Sequence, residues 1–188
     1  MYLTRETVYT PIANTSSSYV YYNYQQDTKL ALLRELTVDG KPAAELLDGK
    51  TFTGAVLSAL VREGNTMILT SRPPSYYVTG ADWETLSDRL LIFDLSANQL
   101  SLAYDQPTKA YNLRIMGMDK DRAFLNLQGD GIVTVDVSKP AAPIGVSFLR
   151  TLGYATHLES FADDVYVASG YFGIEHLNLK DPPNLVQQ

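Results

Sequence analysis

The chain has 188 residues, no cysteine and a formal net charge of −6 at pH 7. The negative charge and the lack of a Lys/Arg cluster argue against a nucleic-acid partner, because phosphate binding needs a basic stripe. The cysteine count excludes disulfides and thiolate metal sites, and no apolar run approaches the roughly 20 residues of a membrane-spanning helix.

The first predicted strands lie at residues 2–9, 29–36 and 43–47. Residues 11–28, which are rich in Tyr and Ser, are predicted to form a long loop between the first two strands. Helix is the competing interpretation for residues 43–47, although propensity is a weak guide in so short a segment.

A second group of strands is predicted at residues 55–61, 67–71, 89–95 and 99–104, with a long loop over residues 73–88. Residues 83–91 have some helical propensity, so a short helical turn is the alternative there.

A third group shows the clearest pattern, because apolar runs are broken every few residues by Gly, Asp or Pro. Its strands are predicted at residues 111–118, 122–127, 132–137 and 144–149, and the same pattern returns from residue 154 to residue 179.

The last two groups are related by one constant shift along the chain, without a gap. Gly131 corresponds to Gly173, and Asp136 corresponds to Asn178, while Asp94 precedes Asp136 by the same interval. A period of roughly 40–45 residues made of short strands is typical of a propeller blade. The sequence therefore predicts an all-β protein, a β-propeller of four-stranded antiparallel blades. One propeller segment is expected, with four partial or whole blades at about residues 1–50, 53–106, 109–150 and 153–188.

The two ends of this pattern are incomplete. The first blade begins in its second strand, and the last blade stops where its fourth strand should begin. Because open strand edges promote association, we expect the missing blades to come from the parent chain or from another chain.

Residues 131–143 read Gly-Ile-Val-Thr-Val-Asp-Val-Ser-Lys-Pro-Ala-Ala-Pro. This pattern resembles the LVIVD repeat, a blade unit of bacterial and archaeal β-propellers, and the resemblance covers residues 107–188. Asn178 and Lys180 depart from it, since the pattern has Asp and Ser there. Residues before 107 match only in strand spacing and equally resemble secreted WD40-like propellers. The resemblance implies a secreted or cell-surface bacterial protein, although no signal peptide begins this chain. It implies no catalytic residues.

Acidic residues recur at the predicted turns. Asp94 and Asp136 each follow a strand, where an Asp side chain commonly bonds to a nearby backbone N–H in an Asx turn. Asp121 and Asp163 lie in hairpins where paired acidic residues also suggest calcium, but a calcium loop needs more oxygen ligands at set spacing. Turn residues are therefore the preferred interpretation, and neither a metal nor a cofactor is predicted.

No catalytic residues are predicted, because no Ser or Cys lies in a recognisable nucleophile motif. The only histidines, His157 and His176, have no zinc-like spacing. His157 is expected in an inner strand, where packing or a structural hydrogen bond is preferred over catalysis, and His176 pairs with nothing visible in the sequence. The alternative is a propeller enzyme, a hydrolase or lyase, with a site at the channel mouth. Its candidate residues are Arg114, Tyr154, Thr156 and His157.

Most of the 13 tyrosines are predicted to lie on one rim of the propeller, in the connections that share a face. Tyr and Trp supply large, rigid contact surfaces that suit recognition. The candidate binding residues are Tyr21, Tyr22, Tyr76, Tyr77, Trp83, Tyr111, Tyr154 and Tyr171. The predicted function is a non-enzymatic interaction module that binds a protein or glycan. The alternatives are that these rings cover neighbouring blades or fill the channel, and that the chain is only a structural spacer.

Overall fold

The computed structural model describes residues 2–13, 22–53, 55–56, 61–72, 87–110, 112–127 and 131–179. This part of the chain consists of β-strands and their turns, with one short 3-10 turn at Gly170–Phe172 and no α-helix. The prediction of an all-β protein is confirmed. The strands form four small antiparallel sheets, none of which closes on itself.

Sheet 1 contains three strands in the order β1-β2-β3. They are β1 (Tyr2–Ala13), β2 (Tyr22–Val38) and β3 (Lys41–Thr53). The helical alternative for residues 43–47 is wrong, because these residues lie in β3. The loop predicted over residues 11–28 is also wrong at both ends. The pairing of β1 with β2 runs from Tyr2 opposite Leu33 to Ala13 opposite Tyr22, so both ends of that loop lie in strands. Pro11 does not interrupt this pairing because β1 is an edge strand, where a missing N–H is tolerated.

Sheet 2 comes next in the chain and has five strands. They are β4 (Ala55–Val56), β5 (Val61–Glu63), β6 (Thr66–Arg72), β7 (Arg89–Asp94) and β8 (Ser101–Pro107). Both β4 and β5 pair with β6 where a single strand is predicted. Residues 89–91 lie in β7, so the helical alternative is wrong there, and residues 73–86 lie outside the described residues.

Sheet 3 has the order β12-β11-β10-β9, and sheet 4 has the order β13-β14-β15. Sheet 3 contains β9 (Leu113–Asp119), β10 (Arg122–Leu127), β11 (Ile132–Asp136) and β12 (Ile144–Leu149). Sheet 4 contains β13 (His157–Phe161), β14 (Asp164–Ala168) and β15 (Ile174–Asn178). The bounds of β10 and β12 are those predicted. Residues 180–188 lie outside the described part.

The central hairpins of sheets 3 and 4 have the same register. Arg122 pairs with Asp136 in sheet 3, and Asp164 pairs with Asn178 in sheet 4, so the sequence shift that relates the two groups also relates their paired residues. The backbone bond that closes each hairpin recurs as well, because Val137 N–H donates to Asp121 O at 2.7 Å and Leu179 N–H donates to Asp163 O at 2.6 Å.

The hydrophobic core is divided into three layers, one between each pair of successive sheets. In β7, Leu91 and Phe93 point toward sheet 1, while Leu90 and Ile92 point toward sheet 3, as expected when successive side chains alternate between faces. The first layer contains Leu30, Leu32, Met67, Leu69, Leu91, Phe93, Leu95 and Leu100. The second contains Ile68, Leu90, Ile92, Leu113, Ile115, Ala123, Leu125, Val135 and Val137. The third contains Phe124, Ile132, Leu149, Ala155, Leu158, Val165, Val167, Leu177 and Leu179.

In the described ranges no helix has both the length and the apolar character needed to cross a membrane.

Candidate functional site

Polar side chains of one sheet bond to the backbone of the next. In sheet 2, Thr70 Oγ1 donates to Leu113 O at 3.0 Å. In sheet 3, Asn126 Nδ2 donates to Ala155 O at 2.6 Å. Leu113 and Ala155 are themselves equivalent positions of the repeat. These bonds hold the first strand of sheet 3, and the segment that leads into sheet 4, against the preceding sheet.

A buried ion pair fixes the start of β9. Arg72 Nε donates to Asp88 Oδ1 at 2.9 Å, and the Asp88 side chain is fully buried. Asp88 Oδ2 also accepts a bond from Leu113 N–H at 2.7 Å, and Arg72 Nη2 donates to Asn112 Oδ1 at 2.7 Å. Asn112, which this network holds, has a left-handed backbone with φ of 54°. It lies directly before β9, the strand that carries Arg114.

A pocket of about 300 Å³ lies where β9, β10 and the segment before β13 meet. Its lining residues are Asn112, Arg114, Met116, Asn126, Tyr154, Ala155 and Thr156. Ligand pockets commonly measure roughly 300–1,000 Å³, so this one has room for a small group such as a single ring. Arg114 is the one charged residue of this lining, and it has no acidic partner among the described residues.

One residue of the pocket lining, Asn126, has a buried polar atom without a partner among the described residues. Asn126 is 5% exposed, and its Oδ1 has no hydrogen-bond partner among the described residues. Its Nδ2 is already used by Ala155 O. Buried acceptors are nearly always satisfied in native proteins, so this solvent-shielded oxygen is an exception.

Three exposed aromatic residues lie on the segment before β13 and on the 3-10 turn, and we call Tyr154, Tyr171 and Phe172 the aromatic trio. Of these, Tyr154 lines the pocket. A Cβ added at Gly153 would lie 2.7 Å from Phe172 Cδ2, and one added at Gly170 would lie 3.9 Å from Tyr154 O. The segment that carries Tyr154 and the 3-10 turn that carries Tyr171 and Phe172 are therefore in contact.

Of the eight predicted binding residues, Tyr154 and Tyr171 are described with their side chains, and both are exposed. Tyr22 lies in β2, paired with Ala13, rather than in a loop, and its side chain lies outside the described part. The remaining predicted binding residues fall outside the described residues. They are Tyr21, Tyr76, Tyr77, Trp83 and Tyr111.

The candidates for the enzyme alternative come together only in part. Arg114, Tyr154 and Thr156 line the pocket, but His157 does not. His157 is exposed and contacts Glu159 at 2.9 Å between Nε2 and Oε1. General acid–base chemistry needs a titratable acid or base within reach of the substrate, and the described lining has no carboxylate or imidazole.

The sequence analysis missed the pocket residues Asn112, Met116, Asn126 and Ala155. Asn126 did carry a signal, because a polar residue between Leu125 and Leu127 in a buried strand needs a hydrogen-bond partner.

The second histidine has partners that the sequence did not reveal. His176 Nε2 lies 2.9 Å from Asp164 Oδ1, and the His176 ring stacks on Tyr166 with 4.9 Å between ring centroids. The absence of any partner for His176 is therefore a wrong prediction. Asp164 also accepts from Asn178 Nδ2 at 2.9 Å, so this group is a cross-strand network on the hairpin of β14 and β15.

The predicted Asx turns are confirmed. Asp94 Oδ1 accepts a bond from Ser96 N–H, and Asp136 Oδ1 accepts one from Ser138 N–H, both at 2.8 Å. The bond from the Ser138 backbone is the main cause that lowers the pKa of Asp136 below its ordinary value, with further help from the Ser138 hydroxyl.

A second cavity, of about 370 Å³, lies at the hairpin turns of sheets 3 and 4. Its lining includes Asp119, Asp121 and Asp163, together with the basic residues Lys120 and Arg122. Within the described ranges, no group of three or more His, Asp or Glu side chains is arranged to hold a metal ion.

Protein-family models give no match to this sequence, and neither do curated proteins.

Proposed function

We propose that this chain is a segment of a β-propeller, in which sheets 1 to 4 are successive blades. The support is that β7 supplies Leu91 and Phe93 to one core layer and Leu90 and Ile92 to the next. A propeller stacks its blades face to face in this way. On this proposal the blades lie at about residues 1–50, 53–106, 109–150 and 153–188, and further blades come from the parent chain or another chain.

The family and location belong to the same proposal. The pattern at residues 131–143 supports membership of the LVIVD-repeat propellers. The identical register of the hairpins in sheets 3 and 4 is consistent with one blade unit used twice. Proteins of this kind occur in bacteria and archaea and are commonly exported or exposed at the cell surface, so the proposal includes a secreted or cell-surface bacterial protein.

The function that the site supports best is non-enzymatic recognition of a protein or glycan. The observation that carries it is the exposed aromatic trio, of which Tyr154 lines the Arg114 pocket. Tyr171 is fully exposed, so it covers no neighbouring sheet in the described part of the chain. Exposed aromatic rings next to a polar pocket are characteristic of binding surfaces, because they give contact area at low entropic cost.

Binding of the protein to an array of neutral and acidic oligosaccharides tests this function. We expect at least one class of saccharide to bind, and we expect Tyr171→Ser and Phe172→Ser to lower that signal about tenfold or more, as at a hot spot. Ile144→Ser is the matched control, because Ile144 is exposed on β12 and belongs to neither the trio nor the pocket. Equal signals from the trio variants and the control would contradict the proposal, whereas an array without binding would exclude the glycan and leave the protein ligand.

A further inference from the structure

We infer that the outer edge of β12 pairs with the same edge of a second copy of this chain, so that two copies of sheet 3 form one continuous antiparallel sheet. This surface is separate from the aromatic trio and from the Arg114 pocket, and the inference does not depend on the proposed recognition function. Three features carry it: the position of β12 in its sheet, the uncharged sequence of the strand, and its exposed apolar side chains.

The backbone of β12 presents hydrogen-bonding groups at the edge of sheet 3. β12 is the last strand of this sheet and pairs only with β11 among the described strands. Leu127 N–H donates to Gly131 O across the neighbouring hairpin. Because bonding direction alternates along an antiparallel strand, the next residue, Ile132, bonds toward its partner Leu149 in β12. Phe148, one residue before Leu149, therefore turns its backbone N–H and C=O away from β11.

The sequence of β12 lacks the residues that protect other edges. Native edge strands commonly carry charged residues or proline, which prevent pairing with another chain. β12 contains neither. A register shift against the inner neighbour does not distinguish it, because β3 and β8 have one as well. Each of the other described edge strands of five or more residues contains at least one charged residue. In β1, β3, β8, β9, β13 and β15 these include Arg5, Lys41, Asp105, Arg114, Glu159 and Glu175.

Two side chains add apolar surface to this edge. Val146 is 37% exposed and Phe148 is 54% exposed. β-branched and aromatic side chains stabilise a sheet when they lie opposite each other on neighbouring strands. A strand added beside β12 would therefore gain side-chain contacts as well as backbone bonds.

A second copy of β12 is the partner that suits this edge best. In an antiparallel pair related by a twofold axis, the facing strand is the same uncharged strand and offers the same apolar side chains. The nearest charged residue in the sequence, Arg150, directly follows β12, so its two copies lie at opposite ends of the pair. Blades that stack on the faces of the sheets would leave this edge open. A pair of such short strands is smaller than a standard interface of roughly 1,200 Å² or more, so we expect a reversible dimer.

Sedimentation velocity from about 10 µM to 1 mM, the range suited to a weak interface, tests the inference. We expect a monomer–dimer equilibrium in which Phe148→Lys raises the dissociation constant at least tenfold, because it places a charge on the edge. Leu102→Lys is the matched control and should keep the dimer, since Leu102 is 49% exposed on β8, an outer strand that already carries Asp105. Ile144→Ser, at the end of β12, adds no charge and should also keep it. Circular dichroism checks that the variants keep the fold.

Amide hydrogen exchange locates the contact. The amide of Phe148 should exchange more slowly at the higher protein concentration, because a second copy then covers it. A monomer throughout the concentration range, or an exchange rate at Phe148 that does not depend on concentration, would overturn the inference. Equal effects of Phe148→Lys and Leu102→Lys, or a dimer that persists in Phe148→Lys, would show that the copies associate through another surface and would overturn it as well.

Discussion

The side-chain amide of Asn126 donates a hydrogen bond of 2.6 Å to the backbone carbonyl of Ala155. The bond joins the second strand of sheet 3 to the segment that leads into sheet 4. The hydroxyl of Thr70 makes the same kind of link, 3.0 Å long, from sheet 2 to Leu113 of sheet 3. Because both donors are buried, these links fix the spacing of successive sheets as well as the shape of the pocket.

Truncation of the Asn126 side chain is expected to lower the free energy of unfolding. Asn126→Ala leaves the carbonyl of buried Ala155 without its partner, which costs about 1–3 kcal/mol of unfolding free energy. Asn65→Ala, at an exposed hairpin position, should stay within about 0.5 kcal/mol of the parent. Urea unfolding measures both. A similar effect of the two variants would show that the Asn126 bond adds nothing to stability.

Two Arg–Asp ion pairs differ in burial, so the same Asp→Ala substitution can be compared in both. The side-chain exposures are 21% and 0% for Arg72 and Asp88, but 37% and 34% for Arg89 and Asp105. Removing one partner of a buried pair leaves an uncompensated charge, so Asp88→Ala should cost about 3–5 kcal/mol. Asp105→Ala should cost only about 0–1 kcal/mol, because water screens an exposed pair. Thermal and urea unfolding of the two variants measure the difference, and equal losses would contradict this account.

Gly131 is predicted to be intolerant of any side chain. Its φ is +135°, and an added Cβ would overlap the carbonyl oxygen of Leu149. Gly131→Ala should therefore lower the unfolding free energy by about 2 kcal/mol or more, through backbone strain and overpacking. Gly145→Ala is the control, because no atom of the described residues lies within 4 Å of its added Cβ. Chemical unfolding of both variants checks this prediction, which fails if Gly131→Ala is as stable as the control.

The contribution of Asp48 to the free energy of unfolding is expected to be lost in acid. Its Oδ2 accepts a bond of 2.7 Å from Leu100 N–H, which links sheet 1 to sheet 2 and is the main cause that lowers the pKa of Asp48. A lowered folded-state pKa stabilises the fold fully above the ordinary value of 3.8, and that contribution disappears as the pH falls through the folded-state pKa.

Urea unfolding between pH 6 and pH 2 measures this contribution. Asp48→Asn should make the stability less dependent on pH below the ordinary carboxyl range, because the titrating group is gone. Asp121→Asn, on an exposed hairpin turn, is the control. Identical pH profiles for the parent and Asp48→Asn would contradict the role of Asp48.

The strands of sheet 3 were predictable because two signals agree there. The apolar run of β10 ends at turn residues, and the constant shift of the repeat marks the same strand again in β14. The long pairing of β1 with β2 in sheet 1 was not predictable from the same rules, since Pro11 and the Ser and Asn residues that follow it in the sequence normally indicate a loop. Asp39–Gly40 was a usable signal, because this dipeptide favours the two-residue hairpin turn that joins Val38 to Lys41.

The candidate site was predictable only in part. Tyr154, Tyr171 and Arg114 were found because the strand pattern placed them at connections or on an inner strand. The pocket itself depends on Asn126 and on the network of Arg72, Asp88 and Asn112, which joins residues up to 40 positions apart. Contacts between residues so far apart follow from how the sheets stack, and no local pattern reveals them.

The stacking of successive sheets is the central claim, and a methyl NOE map of the labelled protein tests it most directly. We expect NOEs from Ile92 to the second core layer on sheet 3, and from Ile132 to Val165, Val167 or Leu177 on sheet 4. We expect none between Ile92 and Val165, because sheet 3 lies between them. NOEs from Ile92 to Val165, or none from Ile132 to sheet 4, would contradict the stacked arrangement.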